Sequence, residues 1–275
     1  MQAIFQLIKD PYERKARLIP GLLVALPLIV PMICVYGAKN PMLTSVIGIL
    51  SSCGAMFALA NISRGLGKKL EQNLIIKWGG MPTTLMLRHR DDHYDFVTKS
   101  RYHQAITAKL GIQIPSQSEE ISDPGKADEI YIGISRRLRE LTRNNKGLLF
   151  NENISYGFHR NMTAMKIIGL STSSLGIIYG LIIAKVLTII PPHIELIHFA
   201  NPGLPASLTL IISFTLLFSW GFYFNEESVK RIGYVYAERL FENLLSVKGG
   251  TSKRDIKKES NPCTMTYCNF IECYQ

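Results

Sequence analysis

Apolar residues dominate four stretches of the chain, and polar residues dominate the segments between and around them. The four stretches form two close pairs: Leu18–Tyr36 with Pro41–Ile62, and Ile167–Ile190 with Leu204–Phe224. A helix needs roughly 20 apolar residues to cross the hydrocarbon core of a bilayer, which is about 30 Å thick. The pattern therefore predicts an all-α membrane protein with four transmembrane helices in two hairpins, at residues 18–62 and 167–224.

The polar segments predict a helical part outside the membrane. Residues 1–17 are predicted as an amphipathic N-terminal segment, and residues 63–166 as a helical domain. Residues 225–248 are predicted as a C-terminal helix, followed by a disordered tail at 249–275. Only the second of these has the length of a domain. Any function must therefore connect that domain to the membrane.

Capping and helix-breaking residues predict where the helices of the domain begin and end. The second span continues as a helix until Trp78–Pro82, where two glycines and a proline force a turn. Asp95–Leu110 predicts a helix closed by a glycine, and Asp123-Pro124 opens a longer helix. Gln113–Ser122 is predicted as a loop. Asn151–Arg160 leads into a helix that continues into the third span, and no segment has a convincing β pattern.

Lys and Arg residues are distributed unevenly around the predicted spans. The chain has 31 of them, of which seventeen lie in residues 63–166, four in residues 1–17 and eight after residue 224. The two loops within the hairpins contain only Lys39. Because basic residues are retained on the cytoplasmic side of a membrane, both termini and the central domain are predicted to be cytoplasmic.

The formal net charge of +10 is partly a result of this topological bias. The domain itself has seventeen basic and eleven acidic residues, which suits an anionic ligand or an anionic lipid surface. A solvated basic face near the membrane gives the same composition.

The five cysteines do not predict a disulfide framework. Cys34 and Cys53 lie in spans, and the other three lie in the predicted cytoplasmic tail, where thiols stay reduced. Cys263, Cys268 and Cys273 are evenly spaced, but they lack the closely spaced Cys pair or nearby His typical of a zinc site. We predict no metal site.

The densest polar cluster follows the turn at Trp78–Pro82. Its candidate phosphate ligands are Arg88, Arg90, Arg101 and His103, since guanidinium groups bind phosphate through two parallel hydrogen bonds. Histidines and aspartates at 89–103 are an alternative metal or acid–base site, with His89, Asp91, His93 and His103 as its members. Their spacing matches no recognised hydrolase or metal motif, and a salt-bridged helix face gives the same pattern.

A second polar run, Phe150–Asn161, approaches the third span. Its candidate residues for coupling the domain to the membrane are Glu152, Asn153, Tyr156 and Arg160. Such polar groups need partners when they lie near a membrane. The alternative is an interfacial anchor, with aromatic rings at the membrane surface and Arg160 at lipid headgroups.

Small residues recur along the third span at four-residue intervals. Thr172, Gly176 and Gly180 form a face that suits close helix packing or a narrow pore. Lys185 is predicted to lie well inside the span, where a charge is costly and a functional role is the default hypothesis. Its nearest candidate partner is Glu195 in the following loop.

Four motifs have distinctive sequences: W-G-G-M-P-T-T-x-x-L-R-H-R-D, T-K-S-R-Y-H, A-D-E-I-Y with R-R-L-R-E-x-T-R, and N-E-N-I-S-Y-G-F-H-R-N-M. They lie at Trp78–Asp91, Thr98–His103, Ala127–Arg143 and Asn151–Met162. Together they resemble a family of bacterial four-helix membrane proteins that includes the membrane effectors of Hailong anti-phage defence systems. The tail after Lys248 resembles nothing comparable.

The resemblance implies a homo-oligomeric ion channel in the bacterial inner membrane. Such a channel stays closed until infection and then depolarises the cell, with control by a nucleotide or single-stranded oligonucleotide from a neighbouring nucleotidyltransferase. It implies no cofactor and no enzymatic activity. The alternatives from the residues alone are a membrane-anchored enzyme that uses the His/Asp cluster, and a membrane scaffold without a pore.

Overall fold

The computed structural model describes residues 9–37, 40, 42, 45, 48, 54–144 and 147–246. These residues are almost entirely helical. The helices are α1 (Glu13–Tyr36), α2 (Met56–Trp78), α3 (Pro82–Leu85), α4 (Phe96–Leu110), α5 (Gln117–Ser122), α6 (Pro124–Thr142), α7 (Leu148–Ala164), α8 (Lys166–Ile183), α9 (Leu204–Tyr223) and α10 (Glu226–Ser246). Two short strands, β1 (Leu187–Ile189) and β2 (Pro192–Ile194), and a 3-10 turn at Leu196–Ala200 lie between α8 and α9.

Three of the described helices, α1, α8 and α9, are long and apolar enough to cross a membrane. They pack against one another as a bundle. About half of the predicted second span, Pro41–Ile62, lies outside the described residues, and residues 1–8 and the cysteine-containing tail lie outside them entirely. Residues 13–17, which were predicted as part of a separate surface segment, instead form the first turns of α1.

The third span is shorter than predicted, and the segment after it is not helical. Helix α8 ends at Ile183 rather than Ile190, and the chain then forms the antiparallel pair of β1 with β2, in which Leu187 faces Ile194. Apart from this short pair of strands, the described part of the chain is all-α, as the sequence predicts. Pro191 and Pro192 cannot continue a helix, and the β-branched residues before them suit an extended backbone.

The predicted caps of the domain helices are confirmed. The Asp95 carboxylate accepts from the Thr98 amide at 2.9 Å, and Asp123 accepts from the Lys126 amide at 3.0 Å. Gly79 and Gly111 end α2 and α4 in the left-handed conformation, at φ values of 74° and 69°. These local interactions fix the ends of the helices.

The predicted loop at Gln113–Ser122 is wrong in its second half, where α5 forms. Ser116 and Glu119 cap α5 reciprocally, with the Glu119 amide donating to Ser116 and the Ser116 amide donating to Glu119. This capping box is readable in the sequence as Ser-x-x-Glu. Helix α5 matters because it carries Glu120 into the core of the domain.

Helix α10 completes the core of the helical domain, although it follows the last span in sequence. Four of its residues are fully buried among side chains from α4, α6 and the segment after α3; they are Ala237, Leu240, Phe241 and Leu244. The domain is therefore built from both sides of the second pair of membrane helices. Displacement of the domain core would act on α9 through α10 as well as on α8 through α7.

The glycines of the third span pack within the chain. A Cβ added at Gly180 would lie 2.8 Å from Leu210 Cδ2, and one at Gly169 would overlap the Trp220 ring. Thr172 is half-buried and donates to the Gly169 carbonyl at 3.2 Å. This face of α8 therefore serves the contact with α1 and α9 of the same subunit.

We predict that Gly176→Ala destabilises the membrane bundle by about 1–3 kcal/mol, because overpacking forces a backbone shift. The added Cβ would contact the Ser213 hydroxyl and would lie 2.8 Å from Pro27 Cβ. Thermal unfolding of the detergent-solubilised protein measures the effect. Gly65→Ala is the matched control, since no atom lies within 4 Å of its added Cβ. Equal melting temperatures for the two variants would contradict this packing.

Candidate functional site at the membrane junction

Arg88 is buried and tied to acidic and backbone groups of the domain. Its Nε and Nη2 atoms donate to the two carboxylate oxygens of Asp128 on α6, both at 2.7 Å, and Nη2 also donates to the Gly79 carbonyl at 2.6 Å. The guanidinium thus holds the turn after α2 against α6. Its predicted role as a phosphate ligand conflicts with this use of its donors.

Arg90 belongs to the same network, which we call the arginine cluster: Arg88, Arg90, Glu120, Asp128 and Tyr131. Arg90 donates to Glu120 at 3.0 Å and to Asp128 at 3.1 Å. The Glu120 carboxylate also accepts from the Tyr131 hydroxyl at 2.7 Å. The partners of both arginines therefore come from α5 and α6, and not from the neighbouring aspartates at 91, 92 and 95.

Arg101 and His103, the other two predicted phosphate ligands, lie outside the arginine cluster and differ in exposure. Arg101 is exposed, with its guanidinium 5.5 Å from the centre of the Tyr102 ring. His103 is largely buried, and its Nε2 lies 2.9 Å from the Leu87 carbonyl. Burial lowers the pKa of His103. Of the four predicted phosphate ligands, Arg101 alone is both exposed and free of an ion pair within the described part of the chain.

The histidines and aspartates at 89–103 do not converge on one point. His89 and His103 lie edge to face at 4.9 Å, but each uses Nε2 on a backbone carbonyl. His93 stacks on Tyr234 and bonds Glu238 of α10 at 2.9 Å. Across the described ranges, no group of three His, Cys, Asp or Glu side chains is placed to hold a metal ion.

The second predicted site does bring polar residues together. Arg160 Nη1 donates to Glu71 Oε2 at 2.9 Å, and the Tyr156 hydroxyl donates to Glu71 Oε1 at 2.9 Å. The Arg160 and Glu71 side chains are only 8% and 13% exposed. Burial, and then the Glu71 carboxylate, raises the pKa of Tyr156 well above its ordinary range. The hydroxyl is therefore a permanent donor to Glu71.

Asn161 extends this network to the start of the first span. Its side-chain amide donates to the Ala16 carbonyl of α1 at 2.6 Å, and its oxygen accepts from Arg160 Nε at 3.2 Å. We call Glu71, Tyr156, Arg160 and Asn161, with the Ala16 carbonyl, the junction cluster. It joins α1, α2 and α7 where the membrane helices meet the domain.

Two glycines allow the three helices to approach closely at the junction cluster. A Cβ at Gly67 would overlap the Asn161 amide, and a Cβ at Gly157 would lie 2.9 Å from the Tyr12 hydroxyl. The helices could not approach this closely with larger residues at these positions. Helix α7 then ends at Ala164, and α8 begins after Met165.

Glu152 and Asn153 lie outside the junction cluster. Both are half-buried near the start of α7. The Glu152 charge helps to raise the pKa of Arg239 on α10, after the larger effect of Glu242. Glu152 therefore lies near α10, and of the four predicted coupling residues Tyr156 and Arg160 belong to the junction cluster.

Lys185 was predicted to lie well inside the third span, and this prediction is wrong. It follows the last turn of α8, is exposed and has a φ of 62°. Its predicted partner, Glu195, instead bonds His193 at 2.7 Å and His198 at 2.8 Å. The prediction failed because α8 ends at Ile183.

Sequence reasoning missed Glu71, Asn161 and the acidic partners of the arginine cluster. Glu71 had one readable signal, since it is the only acidic residue between Glu13 and Asp91. A single carboxylate among many cations is expected to pair with one of them. Asp128 and Glu120 had no such signal, because which cation they face depends on how α5 and α6 pack.

Comparison of the chain with protein-family models, with curated proteins and with solved structures gave no match.

We predict that Arg160→Gln destabilises the protein by about 3–5 kcal/mol, because it leaves the buried Glu71 carboxylate without its counter-ion. Chemical denaturation in detergent micelles measures the loss. Glu71→Gln combined with Arg160→Gln should cost less than the sum of the single variants. Arg137→Gln, which removes an exposed pair with Glu140, is the control and should cost at most about 1 kcal/mol. Additive losses would show that Arg160 and Glu71 are not coupled.

We also predict an acid-dependent contribution from Glu120. Burial alone raises the pKa of Glu120, but hydrogen bonds from Tyr131, His89 and Arg90 lower it overall from its ordinary 4.5. The stabilisation is therefore complete above about pH 4.5 and is lost as the pH falls through the lower folded pKa. Urea midpoints measured between pH 7 and pH 3 should fall more steeply for wild type than for Glu120→Gln. The exposed Glu129→Gln should retain the wild-type slope, and equal slopes for all three would contradict the prediction.

Proposed function

We propose that this chain is the subunit of an oligomeric ion channel in the bacterial inner membrane, with its opening controlled by the helical domain. The observation that carries the proposal is the junction cluster. It places a buried ion pair between α2 and α7 and bonds it to the first turns of α1. Arg160 lies about one and a half helical turns before the start of α8 at Lys166. A change in the domain that moves α7 has a direct route to three membrane helices.

The proposed topology has four spans in two hairpins, with both termini cytoplasmic. Three of the spans are α1, α8 and α9, and the fourth is the apolar segment that precedes α2. The ends of α1 and α8 nearest the domain carry Arg17 and Lys166, in agreement with basic residues at the cytoplasmic side. Four spans are few for a pore in one chain, so we propose that several subunits form it.

The outward face of α8 is the candidate pore lining. Ile167, Ser171, Ser174 and Ile178 are exposed and follow one another at helical spacing, on the side away from the buried Ser173 and Gly176. The Ser171 hydroxyl donates to the Ile167 carbonyl at 3.0 Å, so it is the exposed Ser174 hydroxyl that favours a polar surrounding over lipid. Of the two alternatives for Thr172, Gly176 and Gly180, close packing or a pore lining, we therefore adopt close packing.

The proposed controlling ligand is a nucleotide or single-stranded oligonucleotide. Because Arg88 and Arg90 are paired internally, Arg101 is the candidate that remains among the predicted phosphate ligands. Arg136 of α6 and Arg143 at its end are further exposed arginines of the domain. The resemblance of the chain to Hailong membrane effectors supports an anti-phage role, with the ligand made by a neighbouring nucleotidyltransferase. No arrangement at 89–103 favours the enzyme alternative.

The proposal predicts potassium efflux from vesicles that contain the purified protein, with a rate that changes when short single-stranded oligonucleotides are added. Binding should weaken with added salt, because phosphate contacts release counter-ions. Cells that express the protein in its active state should lose membrane potential. Growth arrest with an unchanged potential and no efflux would eliminate the channel.

The pore face is tested by cysteine accessibility. Ser174→Cys should allow a thiol reagent to reduce efflux by at least about half, because the modified side chain narrows the water-filled path. The neighbouring Ser173→Cys is the matched control, since residue 173 is fully buried within the subunit. Equal inhibition of both variants, or of neither, would contradict the assignment of this face to the pore.

A further inference from the structure

Basic residues from three helices meet beside the junction cluster. Arg17 lies in the first turns of α1, Arg64 and Lys68 lie one turn apart on α2, and Arg160 lies on α7. In the described part of the chain, two carboxylates accompany them. Glu13 pairs with Arg17, and Glu71 is bonded to both Arg160 and Tyr156.

The charges of this group are not balanced by the protein. Within the described residues, Arg64 and Lys68 have no ion-pair partner, and Arg17 Nε is buried without a hydrogen-bond acceptor. Burial, followed by repulsion from Arg64, Arg17 and Arg160, lowers the pKa of Lys68. The packing of the helices brings these cations together, since Leu18 of α1 packs against Ala60 of α2, and a Cβ at Gly67, next to Lys68, would lie 3.2 Å from Arg160 Nε of α7. The four cations are therefore close enough to repel one another. An anion between them would relieve that repulsion.

The position of the group indicates where such an anion comes from. Arg17 directly precedes the apolar part of α1, and Arg64 directly follows the apolar segment that ends at Ile62. Arg160 lies one and a half helical turns before Lys166, the first residue of α8. All of these positions correspond to the level at which lipid phosphates meet the hydrocarbon core. A lipid headgroup reaches this level by default, whereas a soluble anion must enter between the domain and the membrane.

We propose that Arg17, Arg64 and Lys68 bind the phosphate of an anionic lipid headgroup in the cytoplasmic leaflet. The Arg64 guanidinium can donate two parallel hydrogen bonds to phosphate oxygens, and the Lys68 ammonium adds a further donor. Arg17, whose Nη1 donates to Glu13, contributes its positive charge. Arg17 is held for this contact by Glu13 and by the Tyr12 ring, whose centre lies 5.2 Å from its guanidinium carbon. The site is separate from the ion-conducting function, and it would exist in a scaffold or an enzyme as well.

The test measures melting temperature in lipid nanodiscs that contain increasing fractions of phosphatidylglycerol in phosphatidylcholine. The wild-type melting temperature should rise with the phosphatidylglycerol fraction, because a ligand that binds only the folded state stabilises it. Arg64→Gln combined with Lys68→Gln should lose at least about half of that rise. The double variant Arg64→Lys with Lys68→Arg, which preserves both charges, should keep most of the rise in melting temperature.

Lys69→Gln is the matched control, since Lys69 is the exposed neighbour of Lys68 and carries the same charge. It should keep the full rise. An equal rise in wild type and in the Arg64/Lys68 double glutamine variant would overturn the proposal. Inorganic phosphate or a short oligonucleotide added to pure phosphatidylcholine nanodiscs should produce no comparable rise. A rise with either would show that the site takes a soluble anion, and the lipid assignment would be wrong.

Discussion

The arrangement of the domain and the membrane helices depends on the buried ion pair between Arg160 and Glu71. Removing two charges from water is costly, and only close pairing with further hydrogen bonds offsets that cost. Here Tyr156 and Asn161 supply those bonds, and Asn161 adds the link to the Ala16 carbonyl. Helices α1, α2 and α7 are therefore held in one relative position as long as the pair persists.

The helical domain is connected directly to both α8 and α9. Helix α7 is separated from α8 by a single residue, Met165, which is buried with Trp220 and Phe224 at the end of α9. Helix α10 returns from α9 into the core of the domain. The start of α8 and the end of α9 are thus both attached to the same folded unit. A two-state change in that unit would act on both helices at once.

The sequence was sufficient where local chemistry decides structure. Asp95 and Asp123 cap α4 and α6, glycines end α2 and α4, and the long apolar runs predict α1, α8 and α9. It failed where distant segments meet. The partners of Arg88 and Arg90 come from residues about 30 to 40 positions away, and no local pattern records that distance. The end of α8 was also misplaced, because Leu187–Ile190 is as apolar as a membrane helix although it forms a strand.

The most direct test of the central claim is a double-mutant cycle on ion flux. Potassium efflux is measured from vesicles that contain wild type, Glu71→Gln, Arg160→Gln or both changes, after folding of each variant has been checked by circular dichroism. If the ion pair couples the domain to the pore, each single change shifts the efflux rate by about 5-fold or more, and the double variant resembles either single one. Unchanged rates, or effects of the two changes that multiply independently, would contradict the account.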